Sequence, residues 1–345
     1  MQLFNGWLRL INKEQSNNTL MNTTFKNLAY TALAVTLLMP TITACAQKGI
    51  KASKNYITKD VKVSEFNAIE LLGSPDIVYT QNNDGKTSVE IYGSDNLVDL
   101  LEVSVQKNTL VVKFKPNSSY YGESRLEVRA TSPSLNRATL KGSGDVKLNS
   151  DITSDNLEIN LQGSGDIKSN GNIFCKRTLK TMLQGSGDID LYKNVQCSVA
   201  TVTLQGSGDI KIQNMTASSG SIKLQGSGDI DVKEYCKSGE LTVGLQGSGD
   251  VKIKNIESTS TNAELSGSGD MELSGDTQTA VLTLNNSGNI RADKMKAQTV
   301  KATVKGSGDI TCYATEELVG NVLGSGSIRY KGEPKVQSTS KIKPL

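Results

Sequence analysis

Residues 199–232 read VATVTLQGSGDIKIQNMTASSGSIKLQGSGDIDV, and they contain the pattern that decides the fold. Apolar and polar residues alternate on both sides of a Gly-Ser-Gly-Asp turn, which returns 20 residues later. The motif occurs eight times, and NSGN and GSGS variants complete a series of ten turns spaced 18 to 22 residues apart. The turns start at Gly142, Gly163, Gly185, Gly206, Gly226, Gly247, Gly267, Asn286, Gly306 and Gly324.

This repeat predicts an all-β, parallel β-helix of about ten regular coils over residues 136–332. Alternation with a period of two indicates strands with one buried face, and a unit of about 20 residues cannot bury that face without stacking on its neighbours. Equivalent strands then lie parallel, about 4.8 Å apart. The crossover rule favours right-handed winding. The alternative, a propeller of antiparallel repeats, needs longer units of about 40 residues.

The fourth position of the turn forms a column of carboxylates along the stack. We predict a structural turn ladder in which each side chain accepts a backbone N–H of its own coil. A calcium ladder is the alternative, because stacked carboxylates repel one another, but Asn289 and Ser327 stand in the same series without a charge. The members are Asp145, Asp166, Asp188, Asp209, Asp229, Asp250, Asp270 and Asp309.

Two further columns follow from the same register. The residue two after the Asp alternates in charge from Lys168 to Arg291, which predicts ion pairs between successive coils. The residue before the first glycine is glutamine in five successive coils (162, 184, 205, 225 and 246). Stacked amides bond to one another along a solenoid, so a structural ladder is favoured here over a polar strip for glycans.

Cys175 and Cys197 both lie 12 residues after the first glycine of their turns. They should therefore stack in adjacent coils within reach of a disulfide. An exported location would permit oxidation, and we predict a Cys175–Cys197 bridge as a hypothesis.

The N-terminal 44 residues have the pattern of a signal peptide. Lys26 precedes an apolar run over residues 28–39, and Ile42-Thr43-Ala44-Cys45 resembles a lipobox, so Cys45 is the predicted lipidation site and the membrane the predicted partner of the lipid. Because residues 1–20 do not fit a signal sequence, translation would better start at Met21. Residues 45–59 are polar and without pattern, and we interpret them as a tether.

The flanks of the repeat differ from it. Residues 60–135 are rich in strands and predict an irregular β cap with the first coils, because a solenoid needs atypical end units. Within it, Asn108-Thr109 indicates a tight hairpin, and residues 72–77 resemble the repeat with Pro75 in place of glycine. Residues 333–345 are predicted as a C-terminal tail that blunts the last edge.

The composition of the chain excludes some classes of function. The chain of 345 residues contains no histidine, which excludes His-based acid–base catalysis and His metal ligands. Its net charge is +3, and so weak a basic balance argues against nucleic acid as the partner. No motif indicates a catalytic residue or a cofactor.

The opening VSEFNAIELLGSPDIVYTQ (63–81), the later PSLNRATLKGSGDVKL (133–148) and the GSGD turns resemble the bacterial family called putative auto-transporter adhesin, head GIN domain. The resemblance covers about residues 60–332. It implies an exported, non-enzymatic protein, lipid-anchored to the outer membrane on its outer or periplasmic side, that binds or scaffolds a glycan or a protein. The alternatives are a carbohydrate-active β-helix enzyme of the lyase type and a periplasmic partner of an envelope signalling system.

Overall fold

The structure is a computed structural model that describes residues 49–338 and 342–345. Nearly all of the regular structure is strand, with one 3₁₀ turn at Val98–Leu100. Across these ranges no helix is long and apolar enough to cross a bilayer. The strands are β1 (Ile50–Lys51), β2 (Tyr56–Asp60), β3 (Ala68–Gly73), β4 (Asp76–Gln81), β5 (Ser88–Ser94), β6 (Leu101–Gln106), β7 (Thr109–Phe114), β8 (Tyr120–Tyr121), β9 (Glu127–Ser132), β10 (Arg137–Gly142), β11 (Val146–Leu148), β12 (Ile152–Gly163), β13 (Ile167–Ser169), β14 (Ile173–Gly185), β15 (Ile189–Gly206), β16 (Ile210–Gly226), β17 (Ile230–Gly247), β18 (Val251–Leu265), β19 (Asp270–Leu284), β20 (Asn289–Val304), β21 (Ile310–Val322), β22 (Ile328–Lys331), β23 (Lys335–Ser338) and β24 (Ile342–Pro344).

The predicted parallel β-solenoid of about ten coils is confirmed. From β10 to β22 each strand pairs in parallel with its equivalent in the next coil, and the glycines that open the turns are direct partners from Gly142 through Gly247. Bulges interrupt the register where each coil bends, for example between Leu191 and Asn194.

The core is a set of aliphatic columns that run along the stack, because alternate residues of every strand point inward. One column lies just before the turn, and each of its members is at most 2% exposed. It consists of Leu161, Leu183, Leu204, Leu224, Leu245, Leu265, Leu284 and Val304. A continuous apolar interior of this kind holds neighbouring coils together by burial rather than by any single contact.

The second glycine of the turn is required by the spacing of the coils. A Cβ added at Gly208 would lie 1.9 Å from the carbonyl oxygen of Gly187 in the preceding coil. The first glycine is also constrained, since Gly206 has a φ of +155° and its Cβ would lie 2.1 Å from the Gly185 carbonyl oxygen. At both glycine positions the turns therefore stack backbone on backbone, with no room for a side chain.

The N-terminal cap reverses the order of the coils. β3 and β4 form the coil predicted from residues 72–77, and β10 and β11 stack on one side of it. The other side is covered by β7 and β9, which come later in the chain than β3 and β4 but earlier than β10. The antiparallel strands β6, β5 and β2 then close this end. The predicted hairpin joins β6 to β7, but it turns at Lys107 and Asn108, both with positive φ, one residue earlier than the expected Asn108-Thr109.

Two segments differ from the sequence-based expectation. Within the predicted tether, β1 pairs with β8 and β2 pairs with β5, so residues 50–59 are part of the cap. The predicted tail continues the solenoid, since β23 pairs with β21 and β24 with β22. In both segments, strand pairing satisfies the hydrogen-bonding groups of the backbone. The strands are so exposed that their side chains show no apolar pattern. The signal peptide, Cys45 and residues 46–48 lie outside the described residues.

Candidate functional site

The aspartate column is a ladder between coils, which corrects the expected bond within each coil. The backbone N–H of Asp229 donates to Oδ1 of Asp209, and the same bond joins every pair of successive turns from Asp76 to Ser327, with N···O distances of 2.7–3.2 Å. Asn289 accepts the bond in the same way. In a parallel stack the N–H of this residue points toward the next coil, so the acceptor has to come from the neighbouring turn.

The second carboxylate oxygen of many rungs is also occupied. Lys168 lies 2.8 Å from Oδ2 of Asp166, and Arg291 lies 2.6 Å from Oδ2 of Asp270. Burial alone would raise the pKa of Asp166, but hydrogen bonds from Lys168 and from the backbone N–H of Asp188 outweigh it and lower the pKa below its usual value. Within the described ranges no three His, Cys, Asp or Glu residues form a metal-binding group. The geometry supports the structural ladder.

The alternating charge column behaves differently from the prediction. Lys252 pairs with Glu272 of the next coil at 2.7 Å, as expected. Lys147, Lys168 and Lys211 instead pair with the ladder carboxylates two residues before them, because those oxygens lie on the same side of the sheet. The column thus reinforces the ladder.

The predicted glutamine ladder is present. The side-chain amide of each glutamine donates to the carbonyl of the next, from Gln162 to Gln246, with N···O distances of 2.8–3.4 Å. Because these amides hydrogen-bond to one another, they leave few hydrogen-bonding groups for a ligand.

The cysteines occupy a column of small residues at the bend of the coil. Cys175 and Cys197 are buried free thiols, so the predicted disulfide is not formed in this structure and stays a prediction for the oxidised protein. Burial, and to a smaller extent the neighbouring Cys197, raises the pKa of Cys175 to about 12. Burial also raises the pKa of Cys197. A thiol with so little thiolate at neutral pH oxidises slowly. The same column continues as Ala217 and Ser238.

This column of small residues forms the floor of a long open groove. A cavity of about 730 Å³ runs from Cys175 to Gln278, and a second cavity of about 400 Å³ continues from Glu257 to Glu316. The two share Glu257, Ser258 and Gln278. The groove crosses eight coils, and seven spacings of about 4.8 Å make it roughly 34 Å long. We call it the bend groove.

The bend groove is lined by polar side chains that are free to bind. Unlike the two ladders, six hydroxyl and amide side chains along it make no side-chain hydrogen bond to any described residue. They belong to Gln196, Thr216, Ser218, Thr259, Gln278 and Gln298. Charges of both signs border the groove in equal number. They are Lys176, Lys237 and Lys296 against Glu257, Asp276 and Glu316. Its surface therefore suits a polar, uncharged chain better than a polyanion or a polycation.

The sequence analysis did not identify the bend groove. Its residues lie 9 to 13 positions after the first residue of each turn, and the bulges at the bend shift that offset from coil to coil. The one signal in the sequence is the run of small residues at these positions, to which both cysteines belong.

The chain is similar to several solved structures. A crystal structure of a "putative adhesin" from Bacteroides fragilis is 30% identical, covers 86% of this chain and all of its own, and has a TM-score of 0.31. A "putative lipid binding protein" from Parabacteroides distasonis is 23% identical over the same shares, with a TM-score of 0.43. A "putative adhesin" from Parabacteroides merdae is 19% identical over 86% of this chain and 99% of its own, with a TM-score of 0.40.

Among curated proteins no match is found. The model of one protein family matches residues 65–235 and 220–334, which together span most of the cap and every coil of the repeat. The chain therefore belongs to the family described as "Putative auto-transporter adhesin, head GIN domain".

Proposed function

We propose that this chain is a non-enzymatic, adhesin-like protein of the cell envelope and that the bend groove binds an extended glycan. The observation that carries the proposal is the contrast between surfaces. The aspartate and glutamine ladders use their hydrogen-bonding groups internally, whereas the hydroxyl and amide groups of the bend groove are free.

A glycan fits this groove better than a peptide. Peptides that bind to sheets usually add a strand to a free edge, but β15 through β20 are paired on both sides along the groove. The lining also lacks the apolar anchors typical of peptide and protein contacts. Hydroxyls and amides in a shallow channel match the donors and acceptors that a sugar chain presents.

The lack of enzymatic activity is part of the proposal. The chain has no histidine for acid–base catalysis, and the carboxylates of the aspartate ladder are tied to backbone N–H groups. Incubation with uronate polymers should release no unsaturated product. Turnover above a heat-inactivated control would instead favour the lyase-type alternative.

The proposed location follows from the N-terminal sequence. The lipobox-like ITAC over residues 42–45 supports cleavage before Cys45 and attachment of lipid to it. Mass spectrometry of the mature protein should find a diacylated Cys45, and Cys45→Ser should release the protein into the soluble fraction. Protease treatment of intact cells would then separate a surface location, which adhesion requires, from a periplasmic one.

The groove is tested by blocking it. Ser218→Arg and Gln278→Arg place bulky side chains at exposed positions of the bend groove, and Val281→Arg, exposed on a different column, serves as the matched control. On a glycan array we expect binding by the parent and the control and a loss of at least about tenfold in both groove variants, because the arginine side chain excludes the sugar chain and removes the equivalent of one or two neutral hydrogen bonds. Binding of proteins but no glycans, or equal binding by all variants, would contradict the proposal.

A further inference from the structure

Gly244 is a glycine that the fold itself does not require. It lies in an outward-facing column two residues before the glutamine ladder on the same strands, between Lys223 and Glu264 of the adjacent coils. Among the glycines of the described residues, it alone has neither a positive φ nor a heavy atom within 3.4 Å of an added Cβ. The nearest atom is Cγ of Lys223, at 3.8 Å.

Such a glycine has a cost and calls for a reason. Glycine in a strand destabilises a protein relative to alanine, and in strand interiors it often marks a place where a ligand or another backbone approaches closely. The other members of this column carry side chains, including Thr203, Thr283 and Thr303. No part of the described chain uses the space above Gly244.

The missing side chain leaves a notch in the sheet surface. Its volume is about 440 Å³, and its walls include Lys223, Glu264, Gln246, Thr242 and Asn262. It lies on the sheet that follows the bend in each coil and shares no lining residue with the bend groove. We call it the Gly244 notch.

Two opposite charges face each other across the Gly244 notch without meeting. Lys223 forms no ion pair or hydrogen bond with any residue that the structure describes, while one oxygen of Glu264 accepts a hydrogen bond of 2.9 Å from Asn285. Two coil spacings of about 4.8 Å separate their backbones. Side chains in a sheet stand roughly perpendicular to it, so the charged ends of Lys223 and Glu264 are about as far apart as their backbones. Subtracting one hydrogen bond of about 2.9 Å at each end leaves about 4 Å between the two charges of a bound group.

The glutamine ladder ends at the same place. Gln246 accepts from Gln225 at 3.4 Å, but the next coil has Ser266 where a glutamine would stand. The amide N–H group of Gln246 therefore has no acceptor within the described chain. Because each amide of the ladder donates toward the following coil, this N–H group faces the coil of Glu264, whereas the ammonium group of Lys223 comes from the coil before Gly244.

We propose that the Gly244 notch binds a small zwitterion, an α-amino acid being the simplest carrier of this chemistry. Its carboxylate accepts a hydrogen bond from Lys223, and its ammonium group donates to Glu264. The backbone over Gly244 lets the ligand lie against the sheet. This site is separate from the bend groove and does not depend on the glycan proposal.

The test is titration calorimetry of the full mature chain with glycine, L-alanine and D-alanine, against acetate and methylammonium as probes with a single charge. We expect saturable binding of the zwitterions only. Gly244→Thr installs the residue found elsewhere in the column. It should reduce affinity at least about tenfold, as steric exclusion and loss of the charged contacts require, while raising the midpoint of urea unfolding.

Conservative variants make the result specific. Lys223→Gln and Glu264→Gln should each weaken binding, whereas Thr303→Val, in the same column but away from the notch, should leave it unchanged. The proposal is overturned if no zwitterion binds at millimolar concentration, if acetate or methylammonium binds equally well, or if Gly244→Thr retains the parent affinity. Glycan binding by Gly244→Thr, measured in parallel, reports on the bend groove alone.

Discussion

The aspartate ladder predicts that Asp209→Ala and Asp209→Asn differ in stability. In the parent, Oδ1 of Asp209 accepts the backbone N–H of Asp229 at 3.0 Å, and Oδ2 lies 3.2 Å from Lys211. Alanine removes both contacts and leaves the N–H of Asp229 without its acceptor. Asparagine keeps an acceptor at the same position, as Asn289 does for Asp309 at 3.2 Å.

The magnitudes follow from these contacts. A hydrogen bond to a charged group contributes about 1.5–3 kcal/mol, and the ion pair less than about 1 kcal/mol, because Lys211 and Asp209 are 37% and 33% exposed and screened by water. Lys211 also retains Asp188 at 3.6 Å. We therefore expect Asp209→Ala to lower the free energy of unfolding by about 2 kcal/mol and Asp209→Asn by less than about 1 kcal/mol.

Urea unfolding followed by far-UV circular dichroism measures the difference, with the slope compared between variants, since solenoids can unfold in parts. If Asp209→Asn proves as destabilising as Asp209→Ala, charge and not the hydrogen bond is what matters. If neither variant changes the midpoint, hydration of the Asp229 N–H compensates fully and the ladder contributes no stability.

Four further predictions concern the same scaffold. Gly208→Ala should lower stability by at least about 4 kcal/mol or prevent folding, since its Cβ would lie 1.9 Å from the Gly187 oxygen; soluble yield and urea midpoint test this, with Gly244→Ala as the tolerated control. The pKa of Asp166 is lowered in the folded protein, so its carboxylate stabilises the fold at pH values above the unfolded pKa of about 4, and this stabilisation is lost as the pH falls through the folded pKa. Asp166→Asn should therefore reduce the loss of stability between neutral and acidic pH. Excess chelator should leave the melting temperature unchanged, and a fall of many degrees would restore the calcium ladder. Cys175 and Cys197 should resist alkylation at neutral pH until the chain is unfolded, because burial raises their pKa; rapid labelling of the native protein would refute this.

The coils and their core were predictable because local signals agree. Alternation in segments such as residues 199–206 specifies a strand with one buried face, and the GSGD turns place each strand in the same register as the last. The glutamine ladder follows from that register alone. Both inferences need only the position of a residue within its own repeat.

Other features depend on contacts that the repeat does not encode. The backbone N–H of Asp229 donates to the neighbouring turn and not within its own turn. The sequence does not distinguish the two arrangements, because each needs one aspartate per turn. The bend groove could not be predicted because bulges, such as the one between Leu191 and Asn194, change the distance in sequence between its residues and the turn. The pairing of β2 with β5 involves residues that are all exposed in β2, so burial leaves no trace in their sequence.

The reversed order of the N-terminal coils has a consequence for how the chain folds during synthesis. The coil of β3 and β4 cannot be covered until β7 and β9 have emerged, so the slow, non-local step is complete only after Ser132. Each later coil then adds to a finished template after about 20 more residues, with contacts of low sequence separation. Folding should therefore nucleate once, at the N-terminal end, and propagate toward the C-terminus as the chain elongates. Truncations at coil boundaries from the C-terminal side should fold, whereas removal of residues 101–132 should abolish folding of every coil that follows.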